Sequence, residues 1–105
     1  MAGGYGADDP ERQAVPMIIS SLQASLAVGS ALNALSGGAP APTLVARMDQ
    51  ANAAVRDLAD RRVADVLRGV LHEIDRCRRI RTITSKRLDV AVKAAVSVLE
   101  KHSVD

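Results

Sequence analysis

Residues 44–80, LVARMDQANAAVRDLADRRVADVLRGVLHEIDRCRRI, decide the fold. Leu44, Met48, Ala51, Val55 and Leu58 recur at spacings of 4, 3, 4 and 3, the seam of a helix that buries one stripe. The next seam position falls on Arg62. The stripe moves instead to Val63, Val66, Val70, Ile74 and Cys77, so the buried face rotates there. The pattern predicts one long helix over 44–80, about 55 Å at 1.5 Å per residue. Gly69 lies inside it, about 1 kcal/mol less favourable than Ala, and is read as a close crossing or a bend.

Upstream, GGAPAP over 37–42 forms a turn. Gly37-Gly38 ends the preceding helix without steric cost, and Thr43 is the expected N-cap of the next. The preceding helix is expected over 16–36. Its Ile18, Ile19, Leu22, Leu26, Val28, Leu32 and Leu35 fill an arc of about 200°. The rest is small or polar: Ser20, Gln23, Ala27, Ser30, Ala31 and Ala34. No formal charge occurs over 13–46. A surface helix carries a charged face, so this one is expected to be buried on more than one side. Residues 1–14 have no periodicity and are expected to be a flexible tail, with Pro16 interrupting any helix begun at Asp9-Pro10. Downstream, Thr84 is the expected N-cap of a last helix, with Ile83 and Leu88 at the positions of a hydrophobic staple. That helix ends near 102.

The expected fold is therefore all-α, a three-helix hairpin assembly with a long central helix, flexible tail at 1–14 and a single helical domain at 15–105. The composition agrees. Of 105 residues, 48% are hydrophobic and 25% charged, which excludes a wholly disordered chain. There is one Tyr, no Phe and no Trp, so the core must be built from Leu, Val, Ile and Ala. Such a core in so short a chain has thin reserves of burial energy, and self-association is the expected supplement. Cys77 is the only cysteine; it permits no intrachain disulfide and suits a reducing compartment. With acids near the N-terminus and no basic-then-apolar leader pattern, the expected location is cytoplasmic.

Charge is distributed unevenly. Arg76, Arg78, Arg79, Arg81, Lys86 and Arg87 lie between Asp75 and Asp89 with no acid among them, while the rest of the chain is net −4. Such a cluster is a candidate site for a polyanion, an acidic partner or anionic lipid headgroups. The competing reading is that its arginines cap the negative end of a helix dipole. No aromatic residue stands nearby to stack on a base. Thr82-Ile83-Thr84 invites a helix-turn-helix reading, but the helix before it is too long and the turn holds no Gly.

His72, Glu73, Asp75 and Cys77 have the right residue types for a metal, yet their helical spacing scatters them and the only other His is 102. No metal and no cofactor is expected. Residues 17–35 are too polar for a membrane span, and a membrane partner is not expected. No phosphate loop, carboxylate pair or nucleophile motif is present, so the chain is not expected to be an enzyme. The expected function is a structural or adaptor protein that associates with itself or another protein through Ile18, Leu22, Leu26, Leu32 and Leu35. The alternative is a dimeric nucleic-acid-binding regulator using the basic run.

Overall fold

A computed structural model of the chain describes the backbone of residues 10–104 and the side chains of residues 20–101. It contains α1 (Pro10–Ser36), α2 (Ala41–Arg56), α3 (Arg61–Ile80) and α4 (Lys86–Val104), and no strand among the described residues. The fold is all-α with four helices. The single helix expected over 44–80 is corrected to two, α2 and α3, separated by residues 57–60.

Asp60 is the physical reason. Its Oδ1 accepts hydrogen bonds from the backbone N–H groups of Arg62 (3.0 Å) and Val63 (3.2 Å). That satisfies two of the four donors a helix start leaves unpaired. The Leu58 N–H bonds back to the Val55 carbonyl at 3.1 Å and closes the preceding helix. The stripe shift at Arg62 is thus the phase difference between two helices.

The other boundaries also differ from expectation. α2 starts at Ala41 behind Pro40, with no side-chain cap; Pro42, two residues in, has no N–H to leave orphaned, so Thr43 is not the cap. Thr84 is not the cap of α4 either. Ser85 is, its Oγ accepting from the Leu88 N–H at 3.4 Å. The Thr82 hydroxyl instead accepts from the Thr84 N–H and donates to the Thr84 carbonyl. Ile83 is left exposed while Leu88 is buried, so the staple is not formed. Of the expected tail, residues 1–9 lie outside the described residues. α1 begins at Pro10 and runs through Pro16, forgoing the one bond that Pro16 cannot donate to Arg12. At Gly69 a Cβ would meet nothing within 4 Å, so no helix crosses closely there.

α1 and α2 form one hairpin, α3 and α4 a second, and α3 also packs against α1 and α2. α3 is the hub because its apolar stripe is the most complete: Val63, Ala64, Leu67, Val70, Leu71, Ile74 and Cys77 are all buried. They join Leu44, Met48, Ala51 and Val55 of α2, Ala24, Val28, Ala31, Ala34 and Leu35 of α1, and Leu88 and Ala95 of α4 in one contiguous core. The molecule is elongated, 59 × 26 × 18 Å with a radius of gyration of 16.0 Å, against about 13 Å for a compact chain of this length.

The same C-terminal motif closes α1 and α3. In α1 the Ala39 N–H bonds to the Ala34 carbonyl (2.9 Å) and the Gly38 N–H to Leu35 (3.2 Å). In α3 the Thr82 N–H bonds to Cys77 (3.0 Å) and the Arg81 N–H to Arg78 (3.3 Å). Both are Schellman caps, which need one residue in the left-handed region. Gly38 takes it at φ 69° and Arg81 at φ 58°. Glycine does so freely; a residue with a Cβ pays about 1 kcal/mol or more.

Candidate functional surfaces

The structure sorts the six basic residues by their partners. Asp75 draws Arg78 (2.8 Å) and Arg79 (2.5 Å) across one turn of α3. The hydrogen bond from Arg78, helped by the charges of both arginines, holds the Asp75 carboxyl below its ordinary value near 3.8, against an opposing effect of burial. Glu73 is buried, 8% exposed. Arg87 reaches it from α4, with Nε 3.3 Å from Oε1 and Nη2 donating to Oε2 at 3.4 Å. Arg76 stands 3.9 Å from Oε1, and that oxygen has no aligned hydrogen-bond donor. Among the described residues, Arg81 and Lys86 have no ion-pair partner.

Four of the six cations thus serve carboxylates of their own chain. Arg87 has a structural role between helices that its place in a charge run does not announce. Glu73 was legible in principle. It lies three residues after Val70 and four before Cys77, on the buried stripe of α3, where a carboxylate requires a cation.

The five apolar candidates on α1 divide as well. Ile18 lies outside the residues whose side chains are described. Leu35 is buried in the core and Leu32 packs against it half-buried. Leu22 and Leu26 face outward, 58% and 73% exposed. Over its described side chains, residues 20–36, α1 is therefore buried on one face, not on several. Its alanines take the buried face because small side chains let α2 and α3 approach closely. At helical spacing Leu22 and Leu26 continue into Gly29 and Asn33. Nothing lies within 4 Å of a Cβ built on Gly29, so this stripe is open to an approaching surface. Sequence reasoning did not single out Gly29 and Asn33, although the spacing 22, 26, 29, 33 carries them.

Two shallow grooves flank these elements. One, about 490 Å³, runs along the α1 stripe past Leu26, Gly29, Ser30 and Asn33 to Thr43 and Arg47 of α2; Arg47 donates a hydrogen bond to the Ser30 hydroxyl. The other, about 520 Å³, lies between α2 and α3 beside Asp49, Arg68, His72, Asp75 and Arg78. Neither brings a nucleophile to a base with a third orienting group. Among the described residues, no group of His, Cys, Asp and Glu is placed to hold a metal ion, and no helix is long and apolar enough to cross a membrane. The chain matches no family model, no curated protein and no solved structure.

Proposed function

We propose that the protein is a non-enzymatic assembly or adaptor protein that associates with a second copy of itself through the outer face of α1. The observation that carries this reading is the exposure of Leu22 and Leu26 on a helix with no formal charge from residue 13 to 46. Exposed leucines on a helix normally stand among charges. Here α1 contributes Ser, Asn, Gln and Gly beside the leucines, and the cation at the edge of the stripe, Arg47 of α2, is held on the Ser30 hydroxyl. A face with so little charge presents little repulsion to its own copy, which a two-fold contact requires. Gly29, with open space above it, allows two such helices to approach closely.

The nucleic-acid reading has less support. A protein that neutralises several phosphates needs several free cations, and four of the six are engaged by Glu73 and Asp75. Sedimentation of the full chain tests the proposal. A concentration-dependent dimer that Leu26→Asp converts to a folded monomer is the expected result. A wild-type chain that stays monomeric at every concentration overturns it.

A further inference from the structure

We infer that the turn between α3 and α4 is a docking site for an anionic lipid surface, used from the outside without any spanning segment. It is independent of the α1 contact proposed above. The turn combines three features that its own folding does not call for. The first is Arg81, in the left-handed conformation that closes α3. The equivalent position of α1 is Gly38, in the same motif with the same two hydrogen bonds. The chain thus uses glycine where only backbone geometry is needed and arginine at the turn, against the local preference. A residue held in a costly backbone conformation, with no ion-pair partner among the described residues, points to a role outside its own fold.

The second feature is the pair Ile80 and Ile83, each 55% exposed on either side of Arg81. The third is the sorting of charge. Of the six cations of the run, the two without an ion-pair partner among the described residues, Arg81 and Lys86, are the ones that flank Ile83. Behind them Arg79 and Arg87, though paired, remain mostly exposed. Counting Glu73, Asp75 and Asp89 against the six cations, residues 73–89 carry net +3.

Apolar side chains ringed by cations match a lipid interface: the aliphatic groups enter the acyl boundary while the cations meet the headgroup phosphates. A nucleic acid uses the cations but offers nothing to two exposed isoleucines, and no aromatic is present to stack on its bases. The turn also lies outside both grooves described above. It is suited to entering a soft surface.

The test is co-sedimentation of the full-length protein with large unilamellar vesicles, either phosphatidylcholine alone or with about a third phosphatidylglycerol. Binding to the anionic vesicles only, weakening with salt, is expected. Ile80→Ser/Ile83→Ser should abolish it. Lys86→Gln should weaken it about fivefold, as expected for one cation near a charged surface. Lys93→Gln, elsewhere on α4, should leave it unchanged. Arg81→Gly should weaken it similarly while raising the melting temperature by a few degrees, which separates loss of binding from loss of fold. Three results overturn the inference: no binding to the anionic vesicles; binding that survives the double serine variant; or an unchanged melting temperature in Arg81→Gly. Tight binding to duplex DNA that ignores the serine substitutions would replace it with the nucleic-acid reading.

Discussion

Replacing Leu26 by Asp separates assembly from folding, because the structure places that side chain on the surface of its own chain. Full burial of a Leu side chain contributes about 1.5–3 kcal/mol. With 73% of Leu26 still exposed, a partner surface can gain about 1–2 kcal/mol from each copy. A two-fold contact counts the residue twice, so its loss costs about 2–4 kcal/mol, or about 30- to 700-fold in Kd. Two carboxylates facing each other across the axis add to that. Within the monomer the change removes little packing, and the main cost is the poorer helix propensity of Asp, about 0.5 kcal/mol. Sedimentation velocity across a concentration series, with circular dichroism on the same samples, reads both effects. The expected outcome is a helical, cooperatively melting monomer whose Tm no longer rises with protein concentration. If the variant sediments as the wild-type oligomer, the α1 face is not the contact. If it unfolds, Leu26 belongs to the core and the exposure argument fails.

Asp60→Ala removes the N-cap of α3 and should lower stability by about 1 kcal/mol, read from the urea midpoint. Gly69→Ala should raise it by about 0.5–1 kcal/mol, because the helix has room for a methyl there; a loss would mean that α3 is closely crossed at Gly69. Asp75→Asn tests the arginine pairs through pH. The folded-state pKa of Asp75 is depressed, so its stabilising contribution is present above the ordinary value near 3.8 and is lost as pH falls through the lowered one. The stability difference between wild type and Asp75→Asn should be constant from neutral pH down to about pH 5 and shrink towards zero in more acid solution. A difference that grows with acidification contradicts the pairing.

The stripe over 63–77 was readable in large part because the buried face of α3 follows helical spacing: Val63, Val70, Ile74 and Cys77 are buried, while Val66 is only half-buried and Leu67 and Leu71, outside the expected stripe, join the core. The end of α1 was readable because Gly37-Gly38 admits few other geometries. The break at 57–60 was not, since RDLADRR holds neither Gly nor Pro and each of its residues is acceptable within a helix. Asp60 becomes a cap only when α3 turns onto α2, and that turn is driven by burial elsewhere. The same limit applies to the candidate surfaces. The pairing of Asp75 with Arg78 and Arg79 follows from spacings of three and four along one helix. The pairing of Glu73 with Arg87 spans fourteen residues and exists only because α3 and α4 form a hairpin. Which leucines of α1 face outward depended on the Ala-rich side, a preference set by how closely the helices pack.

α4 makes its extended contact with α3 alone, and among its described side chains only Leu88 and Ala95 are buried. An isolated helix of its 19 residues is marginal in water. The four helices therefore need not open together: α4 can detach and fray as a separate cooperative unit while the other three stay closed. Detachment hydrates Glu73, which regains through water the solvation it gave up beneath Arg87. The amide protons of α4 should accordingly exchange with solvent through a sub-global opening, ahead of those of α3, and the carboxylate beneath α4 favours that opening whenever the guanidinium above it is removed.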